Sequence, residues 1–155
     1  MLIYYKSNTL MTKNALQLLL LIVSLSITNC HFAKVIMVFG DSLSAGYGLD
    51  NQSGWVKLLA KRLTETNPDY TIVNASISGN TSGNGLGRIK TDLELHQPDI
   101  LILELGGNDG LRGHPPTLLK SNMAKIIQIS QAQNVRVLLL GIKLPPSYGQ
   151  RYSKA

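Results

Sequence analysis

Ser42 has the sequence setting that most strongly suggests chemistry. It follows Gly40 and Asp41, directly after Val35 to Phe39, an unbroken β-branched and apolar run. Such a run is typical of a strand buried on both faces of a parallel sheet. A hydroxyl group at that point lies at the carboxyl edge of the sheet, where open α/β sheets bind ligands, so Ser42 is a candidate nucleophile. The alternative is that Gly40-Asp41-Ser42 is only a turn, since these residue types dominate turns.

Two further polar, glycine-containing segments follow apolar runs of the strand type. Ser78-Gly79-Asn80 comes after Tyr70 to Asn74, and Asn108 lies within Gly106 to Gly110, directly after Asp99 to Leu105. Because the carboxyl ends of parallel strands meet at one edge of a sheet, we expect the three segments to face the same crevice. Acyl transfer needs donors aimed at an oxyanion beside a nucleophile, and a glycine N–H with an asparagine amide would supply them.

The polar segments also carry a family likeness. Gly40-Asp41-Ser42-Leu43, Gly79 and Gly107-Asn108-Asp109 resemble three sequence blocks of the GDSL or SGNH hydrolase family, in the right order and roughly the right spacing. Longer stretches look like the family's secreted thioesterase and lysophospholipase branch; they are residues 74–79, 104–113 and 144–149. The likeness covers about Val35 to Ala155, and three ordered blocks are far more specific than any one of them alone.

The resemblance implies a role for each matching residue. Ser42 would be the nucleophile, and its N–H, the N–H of Gly79 and the side chain of Asn108 would form the oxyanion hole. The segments bordering an acyl-chain groove would contribute substrate contacts, from Gly107, Asp109, Leu111, Pro145 and Tyr148. The implied substrates are small acyl esters, thioesters and lysophospholipids, with no cofactor and no metal. For Asp41 and Asp109, a structural role in holding the turns is favoured over a catalytic role.

One block of the family pattern has no counterpart here. In the family, an Asp-x-x-His near the C-terminus supplies the general base and its orienting carboxylate, whereas this chain has no acid after Asp109 and no histidine after His114. His114 is a weak candidate base, because no carboxylate follows it to orient the imidazole. We therefore expect a truncated hydrolase whose site is impaired. The alternative is a non-catalytic remnant that only binds acyl ligands.

Apolar and polar segments alternate along the chain as β-α-β-α-β-α-β. Apolar residues at spacings of three and four predict the helices, and short β-branched runs predict the strands. The expected helices are about 54–66, 86–96 and 117–133, the expected strands are 35–39, 70–74, 99–105 and 135–142, and 75–87 is expected to be a long loop. This order predicts a flavodoxin-like three-layer α/β/α sandwich with a parallel sheet, lacking the last strand and helix. The fourth strand would then be an exposed edge.

Composition argues against nucleic-acid partners. The formal net charge is +6, and all of the excess lies in residues 110–155, which carry 7 Lys and Arg and no acid. These cations are spread out between apolar residues, with no cluster and no aromatic platform for bases. A nucleotide-binding flavodoxin-like protein shares the expected sheet, but Gly83 to Gly87 lacks the spacing of a phosphate-binding loop.

The N-terminus has the layout of a secretory signal peptide, assigned to residues 1–33. Lys6 and Lys13 precede the 13-residue apolar run from Ala15 to Ile27, and Met11 offers a second start. That run is short against the roughly 20 residues of a spanning helix, so no stable membrane anchor is expected after cleavage. Cys30 is the single cysteine, which excludes an internal disulfide, and its lipidation is the alternative to simple cleavage.

These features predict one hydrolase domain over residues 34–155. The domain is expected to be periplasmic or secreted and to work as a monomer on a small-molecule substrate.

Overall fold

Four parallel strands organise the fold: β1 (Lys34–Gly40), β2 (Tyr70–Asn74), β3 (Ile100–Glu104) and β4 (Arg136–Leu139). In the computed structural model, which describes residues 33–50 and 53–142, they form one sheet with the order β2-β1-β3-β4. β1 and β3 therefore lie at the centre, as their continuous apolar sequences require. The signal-peptide prediction falls on residues 1–32, and the predicted contacts Pro145 and Tyr148 on 143–155, all outside the described residues.

The helices cover both faces of this sheet. They are α1 (Ser42–Ala45), α2 (Trp55–Thr66), α3 (Ser82–His96), α4 (Gly107–Leu111) and α5 (Pro116–Ala132). Side chains of β1 alternate between two cores, since Met37 and Phe39 pack with residues of α3 and α5, whereas Ile36 and Val38 pack with residues of α2. The predicted three-layer α/β architecture with a parallel sheet is confirmed.

The strand order creates a switch point between β1 and β3. From β1 the chain crosses to β2 on one side, and from β3 it crosses to β4 on the other. Loops that leave two neighbouring strands in opposite directions open a crevice at the strands' carboxyl ends. The segments carrying Ser42 and Asn108 begin there, one after β1 and the other after β3.

Two segments expected to be irregular contain helix. α3 begins at Ser82, inside the predicted loop 75–87, because Thr81 and Asn84 form a reciprocal capping box. The predicted turn at residues 106–110 contains the short helix α4. At the other end of the sheet, β4 is shorter than predicted and is an edge among the described strands, with Leu138 and Leu139 about half exposed.

Among the described residues, no helix is both long and apolar enough to cross a bilayer.

Gly85 explains why a glycine-rich segment can pack as a helix. It is buried, and a Cβ at this position would lie 2.5 Å from Leu105 Cδ1 and 3.1 Å from Phe39 Cε1. Gly87, in the same helix, is exposed, and a Cβ there would meet no atom within 4 Å. Gly85 therefore permits close contact between α3 and the sheet, whereas Gly87 has no part in that contact.

Gly85→Ala should lower the free energy of unfolding by about 1 to 3 kcal/mol, because the added methyl group overpacks the core. Gly87→Ala is the matched control and should raise it by up to about 1 kcal/mol, through helix propensity alone. Urea unfolding followed by circular dichroism measures both. Equal effects of the two substitutions would contradict the packing of α3 described here.

Candidate active site

Ser42 is the first residue of α1, immediately after the end of β1. The preceding residue, Asp41, caps this helix, since its Oδ1 accepts a hydrogen bond from the Leu43 N–H at 3.0 Å. One turn later the helix ends at Gly46, whose φ of 77° is left-handed. Ser42 is partly exposed, so its hydroxyl group lies on a tightly bounded turn at the carboxyl edge of the sheet.

Gly79 lies in the tight turn that follows β2. The Ile77 N–H donates to the Gly40 oxygen at 3.0 Å, and the Asn80 N–H donates back to the Ile77 oxygen at 3.1 Å. Gly79 has a φ of 82°, a conformation that glycine adopts without steric cost. Its carbonyl oxygen accepts a bond from Arg112 Nη2 at 3.0 Å. The turn is thus fastened to the end of β1 and to the residue that follows α4.

Asn108 connects the other two segments. Its Nδ2 donates to Asp41 Oδ2 at 3.1 Å and to the Asn80 carbonyl oxygen at 3.0 Å. Ser42 is the next residue after Asp41, and Gly79 immediately precedes Asn80. The structure therefore joins the three segments that carry the predicted residues, through bonds from Asn108 to the residues next to Ser42 and Gly79. Both N–H groups of the Asn108 amide have partners within the protein.

The structure favours the turn-holding role for Asp109. This residue is completely buried, and its carboxylate accepts bonds from the Ser82 N–H at 2.7 Å and the Ser82 hydroxyl at 2.6 Å. Asp109 is enclosed by the protein in this structure, and its predicted contact with a substrate stays a prediction. Gly107 also contacts the protein closely, since a Cβ there would lie 3.3 Å from Asp41 Oδ2. Leu111 is 63% exposed and remains available to a ligand.

His114 has a carboxylate beside it after all. Its Nδ1 lies 3.5 Å from Asp109 Oδ1, and its backbone N–H donates to the backbone carbonyl oxygen of Asp109 at 2.9 Å. The sequence has no acid after His114. The acid that lies beside His114 in the structure is Asp109, which comes before it in the sequence. Asp109 is already committed to Ser82, which limits what it can do for the imidazole. A role for His114 as general base stays a prediction.

Sequence reasoning missed Arg88. Its Nε donates to Asn80 Oδ1 at 2.9 Å, its Nη1 pairs with Asp92 at 2.8 Å, and its guanidinium carbon lies 3.8 Å from the centre of the Phe39 ring. Burial lowers the pKa of Arg88, and Asp92 opposes that shift. Arg88 thereby orients Asn80, the residue that Asn108 contacts. The spacing of Arg88 and Asp92 predicts their pairing on a helix, but nothing in the sequence points to Asn80.

A second missed residue is Glu104, at the end of β3. It is 5% exposed and accepts a hydrogen bond from the Ser44 hydroxyl at 2.6 Å. Burial raises the pKa of Glu104, and the Ser44 bond opposes that shift. The signal that could have found it is an acid ending a strand that is otherwise apolar.

The described residues hold no cluster of three or more His, Cys, Asp and Glu side chains suited to a metal ion. What they bring together is a hydroxyl group, a tight glycine turn and an asparagine amide at one sheet edge. This arrangement can present an oxygen nucleophile beside N–H donors.

Comparison with known proteins gives the same assignment. The sequence profile of the GDSL-like Lipase/Acylhydrolase family matches residues 38–155. Esterase TesA of Pseudomonas aeruginosa is 52% identical over 123 residues, which are 79% of this chain and 61% of that protein. Thioesterase 1/protease 1/lysophospholipase L1 of Escherichia coli K12 is 43% identical over 123 residues, 79% of this chain and 58% of that protein.

A solved structure has the same fold. The crystal structure of TesA superposes with a TM-score of 0.75 at 51% sequence identity, covering 78% of this chain and 67% of the other. The present chain spans about 60% of the length of the curated relatives it matches. Because the family profile covers most of the chain and the solved fold agrees with it, this chain belongs to the GDSL-like Lipase/Acylhydrolase family.

Proposed function

We propose that this chain derives from, and retains the site of, a serine hydrolase that cleaves acyl esters and thioesters through an acyl-enzyme on Ser42. The observation that carries the proposal is the pair of bonds from Asn108 to Asp41 and to Asn80, which links the segments that contain Ser42 and Gly79. The relatives named as an esterase and as a thioesterase and lysophospholipase support this substrate class.

The chemistry follows from the placement of the donors. The Ser42 hydroxyl oxygen attacks the acyl carbonyl carbon, and the negative charge that develops on the carbonyl oxygen is stabilised by N–H groups. Those of Ser42 and Gly79 are backbone donors. Asn108 contributes a third by exchanging its bond to the Asn80 oxygen for one to the oxyanion. The bond from the acyl carbon to the alcohol oxygen or thiol sulfur then breaks, and the alcohol or thiol leaves with the proton that Ser42 lost. Water attacks the acyl-enzyme, its oxygen goes to the released fatty acid, and a proton returns to the serine.

Proton removal from Ser42 is the weak step. The family's Asp-x-x-His block has no counterpart among the residues of this sequence, since no histidine follows His114 and no acid follows Asp109. We therefore propose that the 155-residue chain is impaired in removing the Ser42 proton and hydrolyses esters slowly. A serine hydrolase whose triad has been removed still accelerates the reaction on the order of 10³- to 10⁴-fold over water, through oxyanion stabilisation and substrate binding. If even that is lost, the site remains an acyl-binding groove.

We also propose secretion to the periplasm or beyond, on the signal-like pattern of residues 1–33, and a monomeric state.

Ser42→Ala should abolish labelling by a fluorophosphonate probe, because the attacking oxygen is gone, and any hydrolysis of p-nitrophenyl butyrate that proceeds through an acyl-enzyme on Ser42 should disappear with it. Intact-protein mass spectrometry and absorbance at the nitrophenolate band measure the two effects. Ser76→Ala is the matched control, since Ser76 lies at the same sheet edge with its hydroxyl near the Val38 oxygen.

Equal hydrolysis by the wild-type chain and Ser42→Ala would remove the catalytic claim. Binding of a fatty acid without any Ser42-dependent hydrolysis would favour the acyl-binding alternative.

Asn108→Ala should slow phosphonylation of Ser42 by on the order of 10²-fold, because an oxyanion donor is lost together with the bond to Asp41. Labelling rates at a fixed probe concentration measure this. Asn67→Ala is the control and should leave the rate unchanged. Asn67 lies at the end of α2, just before β2 begins, and therefore near the amino ends of the strands. A rate for Asn108→Ala equal to that of the control would exclude Asn108 from the oxyanion hole.

A further inference from the structure

Glu104 is an acid in a place where acids are rare. It ends the central strand β3, is paired in register with Gly40 of β1, and is only 5% exposed. A buried carboxyl group costs free energy unless hydrogen bonds compensate for lost water, and an ionised one costs far more. Nothing in the proposed acyl transfer uses this group directly, so its burial needs another explanation.

The contacts of Glu104 lie on both sides of the nucleophile. The Ser44 hydroxyl donates to Oε2 at 2.6 Å, and Gly40, which is paired with Glu104 in register, lies against the same oxygen. Gly40 precedes Ser42 by two residues, and Ser44 follows it by two. The other oxygen, Oε1, is buried without a hydrogen-bond partner among the described residues. The carboxyl group therefore ties β3 to the turn that carries Ser42.

Gly40 makes this contact sterically possible. A Cβ at position 40 would lie 2.7 Å from Glu104 Oε2, 2.8 Å from the Glu104 backbone oxygen and 2.8 Å from Ser44 Oγ. Such distances are shorter than non-bonded atoms allow, so any side chain at position 40 would displace the carboxyl group. The glycine that opens the Gly-Asp-Ser motif thus serves the contact with Glu104, in addition to ending the strand.

The charges around Glu104 favour its protonated form. The titratable group that acts on it is Asp41, in the link between β1 and α1, and the other nearby acid, Asp109, is turned toward Ser82. The Asp41 carboxylate receives N–H bonds from Leu43 and Asn108, which compensate its charge. Burial raises the pKa of Glu104, the hydrogen bond from Ser44 opposes this shift, and the Asp41 charge adds to it.

We propose that Glu104 is a positioning residue for Ser42, because its carboxyl group anchors the Gly40–Ser44 turn to β3 on both sides of the nucleophile. The nucleophilic role of Ser42 rests on the function proposed above, whereas the anchoring itself does not. Ionisation would set a buried negative charge against Asp41, with no hydrogen-bond partner for Oε1 among the described residues, and this cost outweighs the stronger bond that Ser44 donates to a carboxylate.

The sign of the pH dependence follows. The folded protein holds this proton more tightly than the unfolded chain does, where the pKa has its ordinary value of 4.5. Its contribution to stability is therefore fully present below that value and is lost as the pH rises through the higher pKa of the folded state. The turn should loosen over the same interval.

A pH titration of the ¹⁵N-labelled 155-residue chain by NMR tests the anchoring without any need for activity. The amide resonances of Asp41 and Ser44 should titrate with a midpoint above 4.5. Glu104→Gln should remove that transition, because the amide keeps the shape but cannot ionise. Glu94→Gln, at an exposed position of α3, is the matched control and should keep it. Absence of the transition in the wild-type chain, or its survival in Glu104→Gln, would overturn the proposal.

A second variant covers the case in which Glu104→Gln does not fold. Ser44→Ala removes a donor that favours the carboxylate, so it should move the midpoint to higher pH. An unchanged or lower midpoint in Ser44→Ala would contradict the proposed contact.

Labelling of Ser42 by the fluorophosphonate probe separates this proposal from the proposed function. Below the pH of the Glu104 transition, Glu104→Gln and the wild-type chain should be labelled at about the same rate. Above it, Glu104→Gln should be labelled about threefold faster or more. A ratio of the two rates that stays the same across the transition would show that Glu104 anchors the turn without positioning the nucleophile, which overturns the proposal. No labelling in any variant would contradict the proposed function, and the NMR titration would then decide the anchoring alone.

Discussion

The whole site depends on the hydrogen bonds that the side-chain amide of Asn108 donates. Its two N–H groups bind the carboxylate of Asp41 and the carbonyl oxygen of Asn80, which belong to the segments after β1 and β2. Asn108 itself follows β3. Three turns from three neighbouring strands are thereby fixed to one another by one side chain. Because each bond involves a residue next to a predicted functional residue, the geometry of the turns determines the geometry of the site.

The polar groups that hold this edge are buried, and their partners account for their burial. Asp109 is compensated by Ser82, and Asp41 by two N–H donors. Glu104 and Arg88 differ, because Glu104 Oε1 and Arg88 Nη2 are buried without a partner among the described residues. A buried polar group that is only partly satisfied is expected where function, rather than stability, determines the sequence.

Much of this could be predicted from the sequence. The apolar run before Gly40 and the alternating elements predict the parallel sheet, and the strand ends predict which segments meet, because local patterns record which residues are buried. The start of α3 at Ser82 could not be predicted from composition, since its glycines look like a loop and the space that makes Gly85 necessary comes from Leu105, 20 positions away. The burial of Asp109 depends on Ser82 in the same way. Contacts between distant segments are what periodicity does not encode.

The central claim is that Ser42, Gly79 and Asn108 face one reacting group, and the most direct test is a crystal structure of the chain after reaction with a phosphonate. We expect a covalent bond to Ser42 Oγ, with a phosphonyl oxygen at about 2.7 to 3.1 Å from the backbone nitrogens of Ser42 and Gly79 and from Asn108 Nδ2. A phosphonate attached to another residue, or one whose oxygen points into solvent away from Gly79 and Asn108, would contradict this claim.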